Sequence, residues 1–588
     1  MKDYANTYRH HHVARPFAVG IALAFAFSTV LVVNVHAQAN EELFSTSSEV
    51  GRSGGVLVVA QRVEPKTLNP VMALDVPSRD IIWRMMADLV HINRHSQQTE
   101  PALAKAWKIS PDGRRYTVNL RRGIRFSDGH PFDADDVVFS FQIYMDEKVG
   151  SPQRDLLLPG GKPIVVRKLD QYTVEFQLAQ PYGPAERLFD SIAILPRHVL
   201  EKTYQQGAFA DAWRLDSKPE TIVGLGPFRL KEYAAGTRVV LERNPYYWKA
   251  DRTGKRLPYL ERLTFLFVGT DDAQVMRFQA GETDIINRIG AENYAVLSKN
   301  TSGTYRLYDV GPGLEYNFVF FNLNDVGQFP RIASKQTWFR EVNFRRAVSA
   351  VIDREAIAKI VYRGNGSPLW GPVTPGNKLW LNAELPKPSR NLDHAKAFLK
   401  SSGFSWAQDG TLLAPNGERV AFSIVVAAGN APRVAMATMV QEDLGQLGMR
   451  VDIVPMEFRA MVDRITKTYE YEAALMGIGS GDVDPASEIN VWLSTGSTHL
   501  WHLHETQPAT YWEAEIDRLM QQQLATVQFH DRKQLYDRVQ LLIAENLPII
   551  CLATPDILVG AKTGIGNFRP ANLDHYTLWN VEELFWVQ

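Results

Sequence analysis

Residues 420–454 change their hydrophobic period twice. The run 420–426 (VAFSIVV) has strand character, Asn430 and Pro432 supply a helix start, the helical pattern runs to Gly448, and 451–454 (VDIV) returns to strand. Strand, helix and strand in such close succession form a βαβ unit, which requires a parallel pair joined by a right-handed crossover. At least one part of the chain is therefore α/β.

With 588 residues the chain is too long for one hydrophobic core and predicts two to four domains. A first strand is expected at 55–60 (GVLVVA) and a helix at 80–90 (DIIWRMMADLV), with Asp80 favouring its N-terminus. Pro111-Asp112-Gly113 forms a turn between strands at 106–110 and 116–120, and Asp133 with Asp136 makes a capping-box-like start to a helix reaching Phe141. The runs 165–167 and 173–176 flank Asp170-Gln171 as a hairpin, and 239–241 and 263–267 are further strands. Residues 342–362 set Phe344, Ala347, Val348, Val351, Ile352 and Ile360 on one helical stripe that ends at Gly364. A last amphipathic helix is expected at 531–546, before Leu547-Pro548. These elements predict α/β plus α+β organisation with mixed sheets in more than one lobe.

Lys2, Arg9 and Arg15 precede an uncharged stretch at 16–33, which is followed by Ala37-Gln38-Ala39. This is the pattern of a secretory signal peptide over 1–39, cut after Ala39 or Ala37; no cysteine follows, so a lipoprotein is not expected. Residues 40–54 are polar and Gly/Ser-rich and predict a flexible tether. Lys plus Arg (64) balance Asp plus Glu (65), which gives no electrostatic case for a nucleic-acid partner. The single cysteine, Cys551, rules out an internal disulfide and a Cys-based zinc cluster.

The sequence contains no H-E-x-x-H, no G-x-S-x-G and no P-loop, which lowers the expectation of an enzyme. Two places could bind a ligand. His499, His502 and His504, followed by Glu505, carry imidazoles that suit zinc, copper or nickel, although their Leu/Trp-rich context favours surface or hydrogen-bonded histidines; no metal or cofactor is assigned. The loop 477–485 (GIGSGDVDP) places Asp482 and Asp484 among glycines, where they can accept an ammonium or a cation, or stand solvated in an ordinary turn.

Several blocks recur in a recognisable order. Ala102 to Trp107, Ser110-Pro111-Asp112-Gly113 and 123–132 (GIRFSDGHPF) run into Asp133-Ala134-Asp135-Asp136-Val137. Gly224-Leu225-Gly226-Pro227-Phe228 precedes Asn244-Pro245-Tyr246-Tyr247-Trp248, and Asn343-Phe344-Arg345-Arg346-Ala347-Val348 precedes Ile352-Asp353-Arg354. The order resembles the extracellular solute-binding proteins of family 5, the peptide-binding components of ABC importers, over essentially all of 55–588.

The resemblance implies an α/β, two-lobed periplasmic-binding-protein fold (type II-like) with an extra α+β domain inserted in the first lobe. It divides the chain into 55–95, 218–312 and 555–588 as lobe I, 96–217 as the extra domain and 313–554 as lobe II, with crossings near Gly311-Pro312-Gly313 and Thr554-Pro555. It implies a monomeric periplasmic receptor that performs no bond chemistry and delivers a peptide or peptide-like solute to an inner-membrane permease. Asp482 is expected to anchor the ligand's amine, with Asp484 as second choice, while Val76, Ser78, Tyr316 and Asn317 line the cleft and Trp370 and Trp492 wall it. Family relatives that take oligosaccharides, nickel or haem leave those solutes open, with Trp380 and Trp501 as further stacking candidates. An exported hydrolase or a chaperone-like protein is the alternative of another class.

Overall fold

The strand Val56–Gln61 alternates buried and less buried residues, so one face is committed to a core. It pairs in parallel with Arg262–Phe267, which runs antiparallel to Arg238–Arg243, itself antiparallel to Phe228–Ala234. These strands belong to a twelve-stranded sheet in the computed structural model, which describes residues 41–190, 192–299, 303–479 and 481–587. The signal peptide expected over 1–39 lies outside the described residues.

The sheet is continuous because one strand, the 13-residue Ile550–Lys562, serves both of its halves. Its later residues pair with Tyr305–Pro312 and Ile285–Ile286, and its earlier ones with Glu315–Phe321 and Gly366–Pro368. The chain crosses between halves once near Gly313 and once at Thr554–Pro555, where Gly313 N donates to the Pro555 carbonyl at 3.0 Å. In the second half, Glu315–Phe321 lies antiparallel to Ala473–Gly479, followed by Ala421–Ala427 and Arg450–Met456. The last two are parallel and flank the helix Ala431–Gly445, capped by the Asn430 side chain, so the βαβ unit is as expected.

Burial follows the same division. One apolar cluster gathers residues between Leu57 and Phe265 with the C-terminal Leu578, Val581 and Leu584; a second gathers residues between Leu314 and Ala553. A four-stranded antiparallel sheet, Ala104–Ile109, Arg115–Leu120, Thr173–Gln177 and Val165–Asp170, carries the helix Ala134–Met145. The capping box of that helix forms as the sequence predicts, with Asp133 and Asp136 satisfying each other's backbone. Its core residues Tyr116, Phe126 and Phe141 belong to the first cluster, so the small sheet extends that core.

Three local expectations are corrected. The helix placed at 80–90 is Val76–Met85; Asp75 caps it by accepting from Ser78 N, and Val90 already belongs to a strand. The single helix expected over 342–362 is two, Val342–Val351 and Arg354–Val361, because the Asp353 side chain accepts from Ala356 N and restarts the chain as a new N-cap. Residues 41–54 are bound to the body: Phe44–Ser45 pairs in parallel with Lys249–Ala250, Glu42 meets Lys105 at 2.7 Å, and Asn567 bonds Glu49. Short-range composition hides such pairing, since the partners lie from 63 to 518 positions away along the chain.

Candidate functional site

The helix Val76–Met85, the segment 86–102, the strand Lys249–Ala250 and the C-terminal 574–582 enclose a cavity of about 260 Å³. Gly481 of the second half closes it on one side. Both signs of charge line it: Arg79, Arg84, Arg94, Lys249 and Arg288 against Asp80, Asp88, Glu100, Asp190, Asp574 and Glu582. Phe44, Trp83, Tyr247, Trp248, Tyr576 and Trp579 supply apolar and stacking surface.

Most of these charges are paired. Lys249 Nζ lies 2.7 Å from Glu582 Oε1, which also accepts from the Tyr247 hydroxyl at 3.3 Å. Burial alone would raise the Glu582 carboxyl, and the Lys249 ammonium outweighs it, so the carboxyl stays below its ordinary range. His575 Nδ1 sits 2.6 Å from Asp80 Oδ1, and Arg84 donates to the Asp80 and Leu578 carbonyls. Deeper in, burial pushes the Asp88 carboxyl up to about 8 and, with the nearby Arg94 and Lys249, brings His91 down to about 4. At neutral pH these two groups face each other uncharged, 3.7 Å apart.

Three polar groups in the cavity have no partner among the described residues. Arg94 Nε and Asn287 Oδ1 are buried without a hydrogen bond. Asp574 is half-buried and makes no hydrogen bond or ion pair; a Cβ built on Gly481 would stand 3.7 Å from its Oδ2.

Of the residues read from sequence, Val76 lines the cavity and the others do not. Asp482 follows Gly481, but its carboxylate is taken by the Arg187 guanidinium and the Val483 backbone N–H. Asp484 is 3% exposed and accepts from both terminal nitrogens of Arg532 at 2.8 and 2.9 Å, tying its loop to the helix Phe529–Asn546. Ser78 is buried in the Asp75 cap and accepts from Lys66 N. Tyr316 and Trp492 are buried and both donate to Glu488 Oε2, and Asn317 is locked between Tyr362, the Ala553 carbonyl and Arg433. Trp370 is half-buried with its Nε1 on the Pro388 carbonyl, while Trp380 and Trp501 are core residues. Alternation along the strand Glu315–Phe321 was the available signal for Tyr316 and Asn317, and it does not say which face meets a ligand.

The model of the bacterial extracellular solute-binding proteins, family 5, matches residues 98–499. The chain belongs to this family. Its solved relatives share the two-lobed fold. The oligopeptide-binding protein AppA of Bacillus subtilis is 26% identical over 95% of this chain and 98% of its own. Heme-binding protein A of Haemophilus influenzae is 26% identical over 91% and 93%. The structure of the Bacillus subtilis AppA in complex with a nonapeptide has 24% identity and a TM-score of 0.66, covering 92% of this chain and all (100%) of that one.

In this family 5 protein three of the recurring sequence blocks supply Ala102, Pro227, Tyr247 and Trp248 to the cavity wall. Gly226 N donates to the Met85 carbonyl at 2.8 Å, and a Cβ on Gly224 or Gly226 would fall 2.1 Å from the Met85 oxygen or 2.4 Å from its carbonyl carbon. Only glycine lets this loop close against the end of the Val76–Met85 helix. Arg345 donates to the Phe339 and Asn546 carbonyls, and Arg354 to those of Leu369 and Cys551, so the charged block at 343–354 is a packed one, as expected. Among the described residues no helix is long and apolar enough to cross a membrane. Cys551 is buried and its thiol is pushed up to about 12, out of reach of thiolate chemistry.

Proposed function

We infer that this family 5 protein is the exported receptor of an ABC importer and that it captures oligopeptides or peptide-like solutes between its lobes. The carrying observation is the cavity beneath Gly481, lined by both signs of charge and by aromatic rings, with Arg94, Asn287 and Asp574 left to bind something. A peptide offers the matching set: an ammonium, a carboxylate, amides and side chains of mixed character. The name of the Bacillus subtilis relative and its nonapeptide complex support this reading.

In this reading 55–95, 218–312 and 555–588 act as lobe I, 96–217 extends it, and 313–554 is lobe II, working as a monomer that docks on its permease. The leader directs the chain to the periplasm and is removed after Ala37 or Ala39. Asp574 is the amine anchor. Asp482, committed to Arg187, takes the secondary part of holding the Gly481 loop over the cavity. The ligand leaves chemically intact.

Native mass spectrometry of the protein purified from its own host, with the released ligand fragmented, tests the class: a ladder of peptide masses is expected, and a haem, metal-complex or saccharide mass refutes it. Fluorescence titration with free and N-acetylated peptides tests the anchor. Asp574→Asn is expected to weaken the free peptide by about 1.5–3 kcal/mol, a charged hydrogen bond, and to leave the acetylated one unchanged. Equal affinity of the native protein for both peptides overturns the assignment.

A further inference from the structure

The second half of the molecule buries two carboxylates remote in sequence from the capture cavity and absent from its walls. The side chains of Glu505 and Glu513 are each 3% exposed, and His499, 1% exposed, faces both. Buried carboxylates need a counter-charge. The Arg345 guanidinium feels Glu513, but its N–H groups are spent on the Phe339 and Asn546 carbonyls.

The orientation of His499 is fixed. Its Nδ1 lies 3.0 Å from the Val491 carbonyl oxygen, which can only accept, so Nδ1 carries a proton. Nε2 then points at the carboxylates, 3.9 Å from Glu505 Oε2 and 3.8 Å from Glu513 Oε1, and has no hydrogen-bond partner; nor has Glu505 Oε2. A lone pair turned on two carboxylates is repulsive unless a cation stands between them. A proton on Nε2 would face both carboxylates at ion-pair distance but, at 3.8–3.9 Å, would make no hydrogen bond to either, whereas a metal would be bonded to all three. Donors about 2.1 Å from a tetrahedral ion stand about 3.4 Å apart; the three ligand atoms here lie within 4.8 Å of one another, so the carboxylates draw inward as the ion binds.

The surroundings are those of a ligating histidine. A backbone carbonyl holds the ring nitrogen that faces away, and the Glu513 carboxylate is oriented by Thr510 Oγ1 at 2.7 Å and Trp501 Nε1 at 3.2 Å. His502 Nδ1 touches Glu505 Oε1 and stands beside the same cluster. His504 takes a positive φ of 62° and packs edge-on to Tyr469 instead, so it is not part of the set.

We propose that His499, Glu505 and Glu513 form a three-ligand site for a divalent transition metal of the zinc class, with His502 orienting Glu505 from outside through its Oε1. Imidazole ligands disfavour calcium and magnesium, and the mixed nitrogen–oxygen set suits zinc. The ion pins residues 499–505 to the helix Tyr511–Ala525, in a place separate from the capture cavity.

The test uses the full chain with His10, His11 and His12 replaced by alanine, stripped with a chelator and titrated with Zn²⁺ by calorimetry. One equivalent is expected to bind and to raise the melting temperature. His499→Gln and Glu505→Gln each weaken zinc by more than about 100-fold, and Thr510→Val, an outer partner, by about 10-fold. Because a variant can fail to fold, the stripped parent is also loaded with Co²⁺, which is expected to give the intense visible bands of a four-coordinate nitrogen–oxygen site. Absence of saturable zinc uptake, uptake unchanged in both ligand variants, or a weak six-coordinate cobalt spectrum overturns the proposal.

Discussion

Asp484→Asn separates a structural carboxylate from a ligand anchor at the position that sequence resemblance offered as second choice for the anchor. Asp484 is 3% exposed, meets both terminal nitrogens of Arg532, and lies 3.7 Å from Arg187 Nε. Arg532 is itself buried; its Nε goes to the Gln523 carbonyl and its guanidinium stacks 4.9 Å from the Trp380 ring. The asparagine keeps the shape and removes the charge, leaving the guanidinium buried without a counter-ion. Breaking a buried pair from one side costs about 3–5 kcal/mol. With a urea slope near 3 kcal/mol/M, the unfolding midpoint of the protein falls by about 1–1.7 M. Tryptophan fluorescence reads it directly, because Trp380 lies under Arg532. Asp482→Asn is the control: its side chain is 30% exposed against 3% for Asp484, so its pair with Arg187 is more open to water and breaking it is expected to cost less than breaking the buried pair. Peptide affinity of folded Asp484→Asn should match the native protein. A variant that keeps its midpoint and loses the ligand refutes the structural assignment.

Further outcomes follow from the cavity walls. The Asp88 carboxyl, at about 8 in the folded chain against 3.8 ordinarily, keeps its proton where the unfolded chain has lost it, so native stability declines as pH rises between these values. Asp88→Asn cannot ionise, and its melting temperature relative to the native protein is expected to climb across that window; parallel pH profiles would contradict the burial argument. Lys249→Met strands Glu582 as an unpaired buried charge and is expected to cost about 3–5 kcal/mol, read by calorimetry. Gly226→Ala drives a methyl into the Met85 peptide and should cost about 1–3 kcal/mol with loss of ligand binding; an unchanged melting temperature would show that the loop yields freely.

What was legible in the sequence is what short-range periodicity encodes. The βαβ unit at 420–454, the Asp133–Asp136 box and the hairpin Val165–Asp170 with Thr173–Gln177 each depend on neighbours a few residues apart. The break at Asp353 was hidden because the apolar stripe continues through it, while the capping bond that restarts the helix involves only Asp353 and Ala356. The site was less legible. Its walls come from positions as distant as Phe44, Asp88, Asp190, Lys249 and Glu582, and no local pattern unites them. Asp484 and Asp482 share a loop and a chemistry, and only the approach of Arg532 and Arg187 from elsewhere in the chain tells their roles apart.

A strand owned by two cores also decides how the molecule comes apart. Ile550–Lys562 is hydrogen-bonded into both halves of the sheet, so melting either half strips an edge from the other and exposes it to water. The two halves are then one cooperative thermodynamic unit, expected to give a single calorimetric endotherm with van't Hoff and calorimetric enthalpies in agreement. Flexing along this spine is inexpensive by contrast, because Pro555, at the changeover, has no N–H and so has no donor bond of its own to lose when the chain bends there.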